Sequence, residues 1–309
     1  MAVTSVTPTA GPRGGERARL PDGLWRLYAY LLPAALLLAA VFAIPIVQTV
    51  WLSLHTQEGL SPEKTWVGLA NYRDLFADGT FWRVFAQTVV WTVSVVGVTT
   101  VAGFAVAHVL QARFRGRWLF RVVLMLPWAT SLALSAVVWR FAMSPKGLVN
   151  ESISLLGLGE VSVAWLADVP QAALAVIYVG IWGSVPFTAV MLVAAMRSIP
   201  DSIHEAAELD GAGALARAFF VTLPMIRRVL LVVTLSNFVL VFNSFPIIYV
   251  MTGGGPVNKT DILATYLYRT GFSGDFDIGT ASAIAVVILV LLLAMSIVYV
   301  RGLVNRTRV

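Results

Sequence analysis

The chain has 309 residues, of which 58% are hydrophobic and 12% are charged, and its formal net charge is +6. Soluble proteins carry about twice this charged fraction, so the composition excludes an ordinary soluble domain. Because the sequence contains no cysteine, disulfides, thiolate catalysis and cysteine-based metal sites are excluded as well.

Residues 1–24 are rich in proline, glycine, arginine and threonine and contain no apolar core. They predict a disordered tail. A signal peptide is not indicated, because the apolar run after Trp25 is too long and continues to Trp51.

Six apolar runs follow, and each approaches or exceeds the ~20 residues that cross a bilayer. They predict an all-α, polytopic membrane protein with one six-span domain, residues 25–303, and a short C-terminal tail, residues 304–309. Prolines inside the runs are compatible with this, since neighbouring helices satisfy the freed carbonyls. The predicted spans are Leu27–Leu54, Val84–Leu110, Trp118–Met143, Gln171–Met196, Val229–Met251 and Ile278–Val300.

The basic residues are divided unevenly between the two sides of this topology. The N-terminal tail with the adjoining Arg26, the 111–121 loop, the 197–228 loop and the C-terminal tail with the adjoining Arg301 hold 15 of the 22 lysines and arginines. Cytoplasmic loops carry such an excess, so both termini are predicted to be cytoplasmic. The positive charge then follows from topology and does not indicate nucleic-acid binding.

The spans contain few ionisable residues. His108 is predicted at the cytoplasmic end of the second span, and Arg140 near the outer end of the third, where it can snorkel or pair with an external acid. No span carries a central carboxylate, which argues against a proton-coupled carrier. The spans offer no metal-ligand pair or catalytic triad, and the chain has no Walker A motif. We therefore predict no catalytic residue, no metal site, no cofactor bound by this chain and no enzymatic activity.

Neutral polar and aromatic residues mark the third, fourth and fifth spans. Asn237, Val241 and Ser244 are spaced to share one helical face. Such a mixture suits a sugar, whose hydroxyls bond to amides and whose C–H faces stack on rings. Hydrogen bonding between packed spans is an equal alternative. The other residues of this kind are Trp128, Thr130, Ser131, Trp182, Ser184, Phe187, Phe238, Phe242, Asn243 and Phe245.

The loop at 197–228 is the one polar, motif-bearing segment between apolar runs. Its sequence predicts a short helix that Ser202 caps, with Glu205 completing a capping box. Gly211 is expected to end this helix in the left-handed conformation. Leu223-Pro224 is expected to open the next long helix, with the proline in its first turn.

This loop resembles the EAA loop of ABC importer permeases. Glu205-Ala206-Ala207 is followed at the family spacing by Gly211, and then by Val221-Thr222-Leu223-Pro224, where Val221 stands for the usual isoleucine. In the family the helix is cytoplasmic and docks into a cleft of the ATP-hydrolysing subunit. The resemblance implies that the coupling residues are Glu205, Ala206, Ala207, Asp210 and Gly211.

Further motifs over about residues 27–303 are similar to the carbohydrate-uptake branch, the maltose-type and glycerol-phosphate-type first permease subunits. The branch implies a type I importer fold in the bacterial cytoplasmic membrane, with ATP and magnesium on partner subunits. The implied partners are a second permease, two ATPases, an external solute-binding protein, membrane lipid and a sugar. The motifs are Val67-Gly-Leu-Ala-Asn71-Tyr72, Leu126-Pro-Trp128, Trp139-Arg-Phe141, Ser198-Ile-Pro200, Asp210-Gly-Ala212, Thr252-Gly-Gly-Gly-Pro256 and Thr265-Tyr-Leu-Tyr-Arg269.

The resemblance also implies a sugar pocket on the three core spans. Three of its positions depart from the maltose pattern, since Phe187, Leu132 and Val241 lack a hydroxyl or amide found there. Import of a glycerophosphodiester is the alternative within this class, and a self-sufficient secondary carrier is the alternative outside it. The implied pocket residues are Trp128, Leu132, Ser184, Phe187, Asn237, Val241 and Ser244.

Overall fold

The computed structural model describes residues 24–57, 63–112, 114–157, 162–273 and 276–305, and of residues 24–29 and 303–305 it describes the backbone only. Most of both predicted tails, residues 1–23 and 306–309, therefore lies outside the described residues. The chain divides into two compact units, residues 1–48 and 49–309.

The described part of the first unit is helical throughout. It consists of α1 (Leu24–Leu38), a π-helical segment (Ala39–Ala43) and the first residues of α2 (Ile44–Leu52). Pro45 is the second residue after the π-helical segment. A π-helical turn shifts the hydrogen-bond ladder by one residue, which accommodates a residue without an N–H.

The second unit contains a two-stranded antiparallel sheet of β1 (His55–Thr56) and β2 (Thr65–Trp66), in which His55 pairs with Trp66. A second π-helical segment, Arg217–Thr222, joins α10 to α11. The helices are α3 (Ala70–Ala77), α4 (Gly79–Gln111), α5 (Arg117–Ala129), α6 (Leu132–Ala142), α7 (Leu148–Leu155), α8 (Val169–Met196), α9 (Asp201–Leu209), α10 (Ala214–Ala216), α11 (Leu223–Phe242), α12 (Phe245–Met251), α13 (Leu263–Phe272) and α14 (Ile278–Asn305).

Within the described residues, five helical stretches are long and apolar enough to span a membrane, and a bent pair of helices supplies a sixth span if the pair crosses as one. The second span begins at Gly79, before the predicted Val84, because the Asp78 side chain caps it by accepting from Thr80 N at 2.7 Å. The five stretches are Tyr30–Leu52, Gly79–Gln111, Val169–Met196, Ala214–Phe242 and Ile278–Gly302.

The third predicted span, Trp118–Met143, is not one continuous helix but a bent pair of helices. Helices α5 and α6 meet at a bend of 103°. Thr130 between them is extended, and Ser131 caps α6 by accepting from Leu134 N at 3.2 Å. Pro127 in the preceding turn removes one more helical donor.

The fifth predicted span also differs from the structure. The prediction that Leu223-Pro224 opens a long helix is confirmed for α11, which begins at Leu223 with the proline in its first turn. However, α10 and the second π-helical segment precede α11 without a break, so the whole helical stretch begins at Ala214. The same span breaks at Asn243 and Ser244 before α12, whose first turn contains Pro246. A proline cannot donate to the preceding turn, so the break falls where the ladder is already interrupted.

Helices α4 and α8 pack along each other at the centre of the second unit, and α11 packs against both. Their approach depends on glycines, since a Cβ at Gly180 would lie 2.7 Å from the Trp91 ring and one at Gly103 would lie 2.5 Å from Thr188. Helix α5 packs on α8, α6 on α12, and α14 on α3, α11 and α13. This arrangement leaves a cavity between α4, the α5–α6 bend, α8 and the α11–α12 break.

Candidate functional site

All seven predicted pocket residues line this one cavity, which has a volume of about 450 Å³. Both breaks in the spans contribute to it, through Thr130 and Leu132 at one and Ser244 at the other. Non-helical backbone at membrane depth is tolerated where it lines a cavity. The lining residues that the sequence analysis did not assign to a pocket are Trp91, Pro127, Thr130, Gly180, Gly183, Leu240 and Ile247.

The lining is neutral and partly aromatic, and it contains no acidic or basic side chain. The rings of Trp128 and Phe187 lie 6.5 Å apart. Trp91 donates from Nε1 to Val241 O at 2.9 Å, which holds its indole against the end of α11. A ligand in this cavity would meet ring faces and neutral hydrogen-bonding groups.

The polar side chains that line the cavity form some of their hydrogen bonds with other residues of the protein. Asn237 donates from Nδ2 to Thr188 Oγ1 at 2.8 Å, so its amide joins α11 to α8. Ser184 donates to Gly180 O at 2.8 Å. Within the described residues, Asn237 Oδ1 and Ser244 Oγ have no such partner, so an acceptor and a hydroxyl remain for a ligand. Asn243 does not line the cavity.

One wall of the cavity is incomplete. The side chains of Trp128 and Leu240 are 63% and 65% exposed, although both line it. Asn237 and Val241, which also line the cavity, are buried. The cavity therefore opens to the surroundings of the chain through apolar side chains.

The second predicted site, α9 and the turn that follows it, stands apart from the cavity. No residue of α9 is buried. The predicted capping box is wrong, because the helix begins at Asp201, its N-cap is Pro200, and no side chain caps it. The proline already fixes an extended residue before the helix, so Ser202 lies inside the first turn. The Glu205 side chain is exposed, and no described residue forms a hydrogen bond or ion pair with it.

The predicted left-handed conformation of Gly211 is confirmed, with φ at +82°. Ala212 N donates to Ala207 O at 2.9 Å, and Gly211 N donates to Glu208 O at 3.0 Å. This pair of bonds is the Schellman motif, which satisfies the last carbonyls of a helix. The turn fixes the direction in which the chain leaves α9.

An ion pair that the sequence analysis missed ties α9 to the next helical stretch. Arg217 Nη1 lies 2.6 Å from Glu208 Oε2. Leu209 is 90% exposed at the end of α9, and Leu215 and Phe220 are exposed nearby. Helix α9 and the residues that follow it thus present exposed apolar side chains and the Glu205 carboxylate, which has no partner among the described residues.

At the far end of α4, the loop after α12 closes over a buried carboxylate, which the sequence analysis also missed. Asp261 is fully buried; its Oδ2 lies 2.5 Å from Arg269 Nη1, and Thr265 donates to its Oδ1. Burial raises the pKa of Asp261 and outweighs the opposite effects of Thr265 and Arg269. A Cβ at Gly254 would lie 2.6 Å from Asp261 Oδ1, so the loop needs glycine there.

Helix α13 is also tied to the start of α4. Tyr266 donates from its hydroxyl to Asp78 Oδ2 at 3.1 Å. Burial, together with this bond to Asp78, raises the pKa of Tyr266 to about 12. The pKa of Asp78 is lowered, because the hydrogen bonds from Thr80 and Tyr266 outweigh its desolvation. The loop, α13 and α4 therefore form one connected polar network.

The two isolated basic residues of the spans have local roles. His108 Nδ1 lies 3.0 Å from Phe104 O. Arg140 donates from Nη1 to Val250 O at 3.2 Å, so its partner is a backbone carbonyl and not the external acid considered from sequence. Among the described residues, no group of three or more His, Asp or Glu is placed to hold a metal ion.

Residues 99–308 match the family described as binding-protein-dependent transport system inner membrane component. The chain is 38% identical to a probable ABC transporter permease protein of Brucella suis, with 89% of this chain and 95% of the relative covered. It is 33% identical to the trehalose/maltose transport system permease protein of Thermococcus litoralis, over 89% of this chain and 92% of the relative.

A third relative is the sn-glycerol-3-phosphate transport system permease protein of Yersinia pestis, 31% identical over 92% of this chain and 96% of the relative. Among solved structures, a bacterial ABC transporter involved in import of the acidic polysaccharide alginate matches with a TM-score of 0.74 and 26% identity, over 90% of this chain and 96% of that chain. Another structure of an alginate transporter matches with a TM-score of 0.77 at 22% identity, over 89% of this chain and 92% of that chain, and supports the fold.

Proposed function

The chain belongs to the family of binding-protein-dependent transport system inner membrane components, and from this membership we propose that it is the permease subunit of an ATP-driven importer of a neutral sugar or oligosaccharide. The observation that carries the choice of substrate is the neutral, aromatic and hydroxyl-bearing lining of the cavity. Relatives named for trehalose/maltose transport support the same class.

We propose that this chain assembles with a second permease, two cytoplasmic ATPases that bind ATP and magnesium, and an external solute-binding protein. The exposed Trp128 and Leu240 favour a second permease completing the cavity wall. Both termini and α9 would face the cytoplasm, in keeping with the excess of basic residues on that side.

In the proposed cycle, ATP closes the ATPase dimer, the two coupling helices approach each other, and the cavity opens outward to receive sugar. Hydrolysis reverses these movements and releases the sugar inward. Helix α9 would dock in the ATPase through its apolar residues, with Glu205 pairing with a basic group. The Glu208–Arg217 pair would transmit movement of α9 to α11 through the segment between them.

Import of a glycerophosphodiester is the second candidate, favoured by the relative named for sn-glycerol-3-phosphate transport. A phosphodiester needs a cation or several N–H donors, and no lysine or arginine lines the cavity. The family membership offers no support for a self-sufficient secondary carrier.

Identification of the ligand tests this proposal. The solute-binding protein that co-purifies with the complex should unfold at a higher temperature with a neutral di- or oligosaccharide, and glycerophosphodiesters should leave its melting point unchanged. The same sugar should compete for uptake by cells that express the complex. Stabilisation by a glycerophosphodiester and not by any neutral sugar would replace the first candidate with the second.

A further inference from the structure

A second cavity, which shares no lining residue with the first, lies where the ends of α4, α5 and α8 meet. Its volume is about 280 Å³. Apolar side chains form most of its lining, including Leu110 on α4, Leu124 on α5 and Val190 on α8. The remaining lining residues are Arg121 on α5 and Arg197, the C-cap of α8.

No described residue neutralises either arginine. Neither guanidinium has an ion-pair or hydrogen-bond partner in the described ranges, and no acidic residue lines the cavity. The three ion pairs recorded for these ranges involve other arginines. A pair of unpartnered guanidinium groups beside one apolar cavity calls for an anion, because Arg binds phosphate through a fork of donors.

The position of the cavity identifies the source of that anion. Arg121 lies one turn inside α5, and Arg197 follows the last residue of the α8 span. Both belong to the side that holds the excess of basic residues. Guanidinium groups at a span end sit at the level of lipid headgroups, while the apolar walls continue towards the hydrocarbon. Basic cavities between spans on the cytoplasmic side bind anionic lipid headgroups.

We propose that this cavity binds one anionic phospholipid of the cytoplasmic leaflet, with its phosphate on Arg121 and Arg197 and the start of an acyl chain against Leu124 and Val190. A soluble anion would gain nothing from the apolar walls, and a zwitterionic lipid would bring a cation towards two arginines. The proposal uses the cytoplasmic orientation given above but no property of the transported solute.

The bound lipid would also lie close to the start of α9, the proposed coupling helix. Arg197 lies four residues before Asp201, where α9 begins. A phosphate held by both arginines would fix the end of α8 relative to α5. The bound lipid would therefore brace the element from which α9 projects.

The test uses the whole purified complex in detergent, with phosphatidylglycerol as the probe and phosphatidylcholine as the comparison. Native mass spectrometry counts retained lipid, and thermal unfolding reports stabilisation. The test variant is Arg121→Gln/Arg197→Gln. The matched control is Arg115→Gln/Arg228→Gln, which removes two exposed positive charges that do not line the cavity.

The wild type and the control should retain phosphatidylglycerol and gain several degrees in melting point, and the test variant should bind it at least tenfold more weakly. A second variant, Val190→Trp, keeps both charges and fills the cavity; it should also lose the lipid. Millimolar glycerol 3-phosphate should not compete.

Four outcomes would overturn the proposal. Equal retention of phosphatidylcholine would show that the site does not select an anion, and equal competition by glycerol 3-phosphate would identify a soluble ligand. Equal losses in the test and control pairs would indicate a diffuse basic surface. Efficient cross-linking of a cysteine at Leu124 to the second permease would place a protein helix in the cavity.

Discussion

Asn237 joins two roles in one side chain, because its amide nitrogen packs α11 against α8 while its carbonyl oxygen has no described partner. Ser244 lies at the neighbouring break and lines the cavity, and its hydroxyl has no partner among the described residues. If both contact sugar, each contributes one hydrogen bond, worth about 1 kcal/mol. The packing bond to Thr188 makes the two roles separable by mutation.

The double variant Asn237→Ala/Ser244→Ala should raise KM for sugar uptake by about 30-fold, since a loss of ~2 kcal/mol corresponds to that factor. The control is Thr188→Val, which removes the packing partner of Asn237 at a position that does not line the cavity. It should lower the melting point of the complex and leave KM within about twofold. Equal effects of the two variants on KM would mean that Asn237 only packs the bundle.

Among the elements, α9 depends on the turn that ends it. Gly211 is left-handed, and a Cβ there would meet nothing within 4 Å, so any substitution penalty comes from the backbone alone. Non-glycine residues in this conformation cost about 1–2 kcal/mol, and asparagine tolerates it best.

Gly211→Val should therefore redirect the chain after α9, and Gly211→Asn should not. We expect Gly211→Val to insert normally but to reduce both co-purification of the ATPase and sugar uptake several-fold, with Gly211→Asn retaining more than half of each. If valine is as well tolerated as asparagine, the turn does not position α9.

Asp261 holds the loop after α12 in place. Removing the Asp261 side chain should destabilise the protein more than neutralising its charge. Asp261→Asn keeps an acceptor for Thr265, whereas Asp261→Ala leaves Thr265 without this acceptor and Arg269 without its ion-pair partner. An unsatisfied buried partner costs about 1–3 kcal/mol. We expect the melting point of the complex to fall more for alanine than for asparagine.

The same carboxyl group predicts a pH effect of known sign. Because the pKa of Asp261 is raised on folding, the folded state holds this proton more tightly than the unfolded state. The stabilisation of the folded state by this proton is complete below the pKa of Asp261 in the unfolded state, about 3.9. It disappears as the pH rises through the pKa of Asp261 in the folded state. The wild type should therefore gain melting temperature relative to Asp261→Asn as pH falls towards 4. A difference that is independent of pH, or of opposite sign, would contradict the raised pKa.

The breaks in the third and fifth spans could not be predicted from composition alone. A continuous apolar run predicts a continuous helix, because lipid cannot form hydrogen bonds with unpaired backbone N–H and C=O groups. The exceptions fall at Thr130-Ser131 and at Asn243-Ser244, where polar pairs lie within a few residues of a proline. Both breaks border the cavity, so a protein-lined space replaces lipid there. The polar pairs were visible in the sequence, but only the cavity explains why the chain tolerates a break.

The candidate site could be predicted in part for a related reason. The seven pocket residues follow motifs on the third, fourth and fifth spans, and the structure brings them together around one cavity. Trp91 was missed because the second span carries no such motif and a lone tryptophan fits packing equally well. The Glu208–Arg217 pair was missed because its members lie nine positions apart with a turn between them, a spacing that no helical periodicity indicates.

For the molecule as a whole, the absence of cysteine makes the orientation directly testable. Ser202 and Asn258 are exposed and belong to loops proposed to lie on opposite sides of the membrane. A cysteine at Ser202 should react with a membrane-impermeant maleimide only from the cytoplasmic side, and one at Asn258 only from outside. Val257, which is 82% exposed, provides a second external position that carries no hydrogen bond to Arg269. Labelling of both loops from one side would reject the six-span topology.

The measurement that tests the central claim most directly is sugar uptake into proteoliposomes by the purified complex, with the binding protein outside and ATP inside. Uptake should require ATP and the ATPase subunits, and this chain reconstituted without them should transport nothing. Glu205→Gln, which removes an exposed charge that caps no helix, should leave assembly intact and lower uptake and sugar-stimulated ATP hydrolysis together by about tenfold or more. Uptake by the chain alone would contradict ATP-driven transport through this subunit. Full uptake and full stimulation of ATP hydrolysis in Glu205→Gln would contradict a role of the Glu205 charge in coupling.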